Sequence, residues 1–148
     1  MICAVHAIIA GAVGASARSR SRAFIAGVGT HLLADLAPHR DFSPPVELLM
    51  TAAALGAIGG VSGFNSAAFA GAIGGVAPDI ENGLAALGVL AEPCFPTHRG
   101  AHGRRTPGVL AQVAISAVAF GFLVRHARGG ARADGAPKGH QASCPGAA

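Results

Sequence analysis

The sequence predicts an all-α integral-membrane bundle of about five short transmembrane helices, followed by a disordered basic C-terminal tail. Three observations predict it. Charged residues are 12% and hydrophobic residues 51% of the 148, whereas a typical soluble domain is roughly 25% charged. The apolar runs are separated by short arginine clusters and proline-bearing connectors, the pattern of juxtamembrane loops. The 22 glycines include several pairs four apart, a spacing that lets helix backbones approach closely in lipid. The net charge of +4 is not organised as a basic stripe interleaved with aromatics, so no nucleic-acid partner is expected. Cys3, Cys94 and Cys144 are odd in number and unpatterned, suggesting neither a disulfide framework nor a CxxC metal site.

Residues 1–17 carry no formal charge and are rich in Ala, Ile, Val and Gly. They read as a first span, at the short end of the roughly 17–25 residues such a helix needs. The rival reading is a secretory signal cleaved at Ala15-Ser16-Ala17. Against it, Arg18, Arg20 and Arg22 follow the apolar run instead of preceding it. Residues 18–22 form a basic turn, and a second apolar helix starts at Ala23. Pro38 disfavours a helical Ala37 and removes a backbone donor, so that helix is expected to end or kink there. Residues 41–45 are a connector, with Pro44-Pro45 as its stop.

Residues 48–78 then run for 31 positions without a formal charge. One helix of that length would measure about 46 Å, more than a bilayer core. The segment Ser62-Gly63-Phe64-Asn65-Ser66 divides it into two spans. The hexapeptide Gly-Ala-Ile-Gly-Gly-Val occurs on both sides, at 56–61 and 71–76. Its glycines, paired as Gly56/Gly60, Gly59/Gly63 and Gly71/Gly75, are expected to be packing surfaces rather than phosphate cradles. The fourth span ends within residues 76–82. Residues 83–90 are a short apolar piece, re-entrant or lying at the interface, and residues 107–124 are the last span. The helical domain is thus expected over 1–125 and the tail over 126–148, with His126 and His140 belonging to the tail.

The polar residues are grouped. His31, Asp35 and His39 follow one another at a spacing of four at the end of an apolar run, which places them on one helical face; Pro38 takes His39 off the ideal face. A histidine followed four residues later by a carboxylate lets one helix offer two ligands to one divalent ion. Counting five spans, His6, His31, Asp35, His39, Asp79, His98 and His102 all fall near the same boundary. The opposite side holds seven basic residues against four, so the positive-inside rule puts the tail in the cytoplasm and the polar cluster on the outer face of the inner membrane. The cluster suits Zn²⁺, with Mn²⁺ or Fe²⁺ as alternatives; it contains no soft thiolate, and an all-oxygen Mg²⁺ or Ca²⁺ cage does not fit so many imidazoles. Each residue also has a structural reading. His6 can be a packing residue, His31 with Asp35 a hydrogen-bonded pair, Asp79 a turn or cap, and His98 with His102 a basic loop binding lipid phosphate. Asp41, Glu81 and Glu92 read as ordinary interface charges.

The motifs carrying this cluster are His6 in the first apolar helix, His31-Leu32-Leu33-Ala34-Asp35-Leu36-Ala37-Pro38-His39, Gly74-Gly75-Val76-Ala77-Pro78-Asp79 and His98-Arg99-Gly100-Ala101-His102. Over residues 1–125 they resemble small bacterial integral-membrane proteins known as membrane-bound metal-dependent hydrolases, distantly similar to zinc-dependent phospholipase C. HxxxDxxPH is the most specific element. Many members continue HRG with Thr-His-Ser, where this chain has Ala101-His102-Gly103. The resemblance implies a site more firmly than a catalyst. It is consistent with a metal-dependent hydrolase in which His31, Asp35 and Asp79, with His98 or His102, hold the ion and His39 is the general base or acid. Arg99 and Arg104 would hold an anionic phosphoester or lipid head group. The alternatives are a non-catalytic metal-binding membrane protein and a structural bundle with a polar cap. Residues 48–78 offer only Thr51, Ser62, Asn65 and Ser66 as polar side chains, which argues against an ion pathway.

Overall fold

Ser19 and Ser66 set the frame of the chain, because each starts a helix by accepting a backbone N–H with its hydroxyl. Ser19 Oγ accepts from Arg22 N at 3.3 Å and Ser66 Oγ from Phe69 N at 3.0 Å, satisfying donors that a helix start leaves unpaired. A computed structural model describes residues 3–35, 42–92, 94–95 and 108–134. Among them are five helices and no strand: α1 (Cys3–Ala15), α2 (Arg20–Ala34), α3 (Pro44–Ser62), α4 (Ala67–Ala86) and α5 (Gly108–Asp134).

Several boundaries differ from the sequence expectation. With Ser19 as cap, Arg20 and Arg22 belong to the first turn of α2 rather than to a preceding turn. Pro44-Pro45 opens α3 instead of closing a connector; a proline at the first helical positions loses only an N–H that has no helical partner there. The division at 62–66 holds, with Gly63 at φ 86° making the turn. Pro78 does not end α4. It is fully buried inside that helix, and the Asn82 side chain donates to its carbonyl at 2.8 Å. Gly83 to Ala86 are therefore the last turn of α4, and Gly88, at φ 72°, reverses the chain after it. The fifth helix runs on to Asp134, into what was expected to be tail. The helix continues past the end of the apolar run and through Gly129-Gly130, although glycine is a poor helix former.

Glycine sets the packing. A Cβ at Gly14 would lie 2.8 Å from the Ala67 carbonyl oxygen and 2.9 Å from Gly71 Cα; one at Gly75 would lie 2.8 Å from the His6 carbonyl oxygen. A Cβ at Gly27 would collide with the Gly71 carbonyl, and one at Gly74 with that of Phe24. Hence α4 lies antiparallel to α1 and parallel to α2, backbone against backbone on both sides. The other copy of the hexapeptide behaves differently. A Cβ at Gly56 or Gly60 would have nothing within 4 Å, and the atoms nearest one at Gly59 are those of the Phe64 ring rather than another helix's backbone. The expected packing role thus belongs to the α4 copy.

The helices α3 and α5 flank this sheaf. Ile58 and Leu123 are their fully buried contributions to the core. Two stretches, Pro44–Ser62 and Val109–Gly129, are long and apolar enough to cross a membrane, with only 17% and 11% of their spanning windows buried. Their apolar surface, including Leu48, Leu49, Leu110 and Val118, thus faces away from the bundle.

Candidate metal centre

Antiparallel packing of α1 against α2 and α4 brings the start of α1 to the ends of the other two. That end collects the polar side chains. His6 stands in the first turns of α1 and His31 in the last turn of α2. Asp35 is the C-cap of α2, its backbone N–H bonded to the His31 carbonyl at 3.0 Å. Asp79 follows Pro78 on α4. His6 Nε2 is 3.1 Å from Asp35 Oδ1, His31 Nε2 is 3.3 Å from Asp35 Oδ2, and His31 Nε2 is 3.7 Å from Asp79 Oδ1. The two imidazoles stack with centroids 4.1 Å apart at 30°. Both are buried, at 1% and 0% exposure.

One hydrogen bond decides how this group can work. His31 Nδ1 lies 2.8 Å from the Gly75 carbonyl oxygen. A carbonyl only accepts, so Nδ1 carries the proton, and in the neutral ring Nε2 is a lone pair. That lone pair faces carboxylate oxygens of Asp35 and Asp79, both acceptors. A cation among three such atoms, whether a proton or a metal ion, would relieve their mutual repulsion. Histidines that ligate metals are commonly oriented by a second-sphere acceptor in this way. Protonating both stacked rings would set two like charges about one ring spacing apart in a buried site. Two aspartates and two neutral imidazoles instead balance one divalent ion.

One ligand atom from each of His6, His31 and Asp79 lies within 4.8 Å of the others, so this trio could hold a metal ion. Asp35, with carboxylate oxygens 3.1 and 3.3 Å from the two imidazoles, stands beside it. No family model, curated protein or solved structure matches this chain. The chemistry of the centre has to come from its own atoms.

Of the residues singled out from sequence, the structure thus brings His6, His31, Asp35 and Asp79 together from three helices. His39, His98 and His102 lie outside the described residues, as do Arg99 and Arg104. Glu81, expected to be an ordinary interface charge, accepts the backbone N–H of Cys94 at 2.5 Å and of Phe95 at 3.3 Å, which ties down the chain after α4. Two residues adjoining the centre escaped the sequence reading. The Gly75 carbonyl is invisible to any side-chain motif. Glu47 accepts the backbone N–H of Cys3 at 3.0 Å and of Phe42 at 2.8 Å, so it anchors the start of α1.

Proposed function

We propose that this chain is a multi-pass membrane protein that holds one divalent metal ion and uses it to hydrolyse a phosphoester, such as a lipid head group, at the membrane surface. The observation that carries the reading is the Gly75–His31 hydrogen bond, which aims a buried imidazole lone pair at two carboxylates. His6, His31, Asp35 and Asp79 would hold the ion. Two imidazoles with two carboxylates suit zinc, a borderline-soft ion, and tolerate manganese or iron. Such an ion supplies Lewis acidity and lowers the pKa of bound water.

The remaining roles fall to this chain's own groups. The Gly75 carbonyl fixes the ring of His31, and Pro78 and Gly75 together fix the turn of α4 that presents Asp79. His39, four residues beyond Asp35 in sequence, is the proposed general base or acid. His98 and His102 would complete the polar side of the site, and Arg99 and Arg104 would pair with the phosphate. Five spans are proposed, with α1, α2 and α4 as the glycine-packed sheaf and α3 and α5 against lipid. The arginine asymmetry supports an inner-membrane protein with a cytoplasmic tail and the centre outside.

A specific observation favours a second reading. Asp35 lies within 3.1 and 3.3 Å of both imidazoles, the arrangement of a hydrogen-bonded polar cap that needs no ion. Phosphodiester turnover separates the two. Detergent-purified protein loaded in turn with Zn²⁺, Mn²⁺ and Fe²⁺ is assayed on a chromogenic phosphodiester and on short-chain phospholipids. Hydrolysis abolished by Asp79→Asn is expected. Bound metal without turnover on any substrate would leave a metal-binding protein and remove the hydrolase; neither metal nor turnover would leave the polar cap.

A further inference from the structure

We propose that the outward face of α5 holds an anionic phospholipid, its acyl chain along residues 117–122 and its phosphate at Arg125 and His126; this rests on the membrane-spanning reading above. The face carries an open groove of about 700 Å³, lined by Ala117, Val118, Gly121, Phe122, Arg125 and His126. These residues form two neighbouring ridges spaced by four, with Ala117, Gly121 and Arg125 in one and Val118, Phe122 and His126 in the other. A Cβ at Gly121 would meet nothing within 4 Å, so the first ridge is notched there. The second presents a flat wall, because the Phe122 and His126 rings stack with centroids 5.9 Å apart at 27°. Leu123 is buried in the core and Phe120 packs against it, so the groove faces away from the bundle.

Length and charge decide what fills it. From Ala117 to Arg125 the helix rises about 12 Å, close to the roughly 15 Å of hydrocarbon in one leaflet. The apolar part thus suits an acyl chain, and the two polar side chains stand where the apolar run stops. Arginine pairs bidentately with phosphate, and an imidazole adds an N–H donor. The apolar stem of Arg125 lets its guanidinium reach the head-group level. Exposed Arg128 adds positive charge one turn further on, and none of the lining residues is acidic. A second copy of this chain suits the groove less well. Two α5 helices related by a two-fold axis along the membrane normal would set each Arg125 at the level of its counterpart, like charge facing like. A lipid phosphate neutralises that charge instead.

The test uses the full chain in detergent, titrated with dioleoyl phosphatidylglycerol or dioleoyl phosphatidylcholine and read by native mass spectrometry. Phosphatidylglycerol is expected to be retained at least about fivefold more tightly than phosphatidylcholine, the effect of one basic residue on an anionic head group. Arg125→Gln with His126→Gln should remove that preference at unchanged helix content. Gly121→Leu fills the notch and should lower retention of both lipids, whereas Gly60→Leu, on an equally open helix face, should lower neither. Equal retention of the two lipids by the parent, a preference that survives loss of Arg125 and His126, or retention untouched by Gly121→Leu would overturn the site and leave the membrane reading intact. A dimer dispersed by Gly121→Leu, with no preference between lipids, would overturn it too and assign the groove to a second copy. Protein that stays monodisperse without detergent and retains neither lipid would overturn the membrane-spanning reading, and the site with it.

Discussion

The repeated hexapeptide offers a matched perturbation, Gly75→Ala against Gly60→Ala. Both glycines are the fifth residue of Gly-Ala-Ile-Gly-Gly-Val and both lie inside a helix, so the intrinsic helix gain of alanine, up to about 1 kcal/mol, is common to the two and cancels. What remains is the surroundings. A Cβ at Gly60 meets nothing within 4 Å, while one at Gly75 runs into Ala10 Cβ and comes within 2.8 Å of the His6 carbonyl oxygen. Backbone cannot swing aside as a long side chain can, so α1 must move off α4. Overpacking of this kind costs about 1–3 kcal/mol, which is the expected difference between the variants. Unfolding by sodium dodecyl sulfate in mixed micelles, followed by circular dichroism, measures it. The shift should also reach the candidate metal centre, since displacing α1 moves His6 away from Asp35. Equal stability of the two variants, to within about 0.5 kcal/mol, would refute the backbone-to-backbone packing of α1 on α4.

Other expectations follow from the caps and carboxylates. Ser66→Ala should cost about 1 kcal/mol of stability, the usual loss of a bonded N-cap, whereas Ser43→Ala should cost little in the same assay, since the Ser43 side chain makes no cap bond. Glu47→Ala removes a carboxylate that accepts two backbone N–H groups; about 1.5–3 kcal/mol is expected for the loss of a charged acceptor, with the start of α1 gaining hydrogen-exchange rate most. The Glu81 carboxylate bonds with the exposed Cys94 thiol and raises its pKa, so less thiolate is present at a given pH. In protein whose one thiol is Cys94, Glu81→Gln should therefore speed alkylation through neutral to mildly alkaline pH. An unchanged rate would show that the carboxylate does not act on the thiol.

What was legible in the sequence followed from spacing. His31 and Asp35 four apart could only share a face, and counting spans brought His6 and Asp79 to the same end of the bundle. The 62–66 turn was legible because a charge-free run too long for one helix must be divided somewhere. The less legible parts depended on context. Pro44-Pro45 and Pro78 carry the same local chemistry, yet one pair opens a helix and the other residue sits within one, buried and flanked by Asn82. Both copies of the hexapeptide read identically, and only the neighbouring helices make one of them a packing surface. The end of α5 was misplaced because apolarity was followed, whereas the helix continues beyond it through Gly129-Gly130. At the centre, side-chain motifs reached the clustered histidines and aspartates but not their support, which comes from the Gly75 carbonyl and Glu47.

The central claim is that the buried histidine-aspartate cluster holds a metal ion. Elemental mass spectrometry of detergent-purified protein, alongside a His31→Ala/Asp79→Ala variant of unchanged helix content, tests it most directly. Near-stoichiometric zinc, manganese or iron in the parent and its loss in the variant is the predicted result. Metal absent from both after reconstitution with each ion, or equal metal in both, would contradict the account and leave the cluster as a hydrogen-bonded cap.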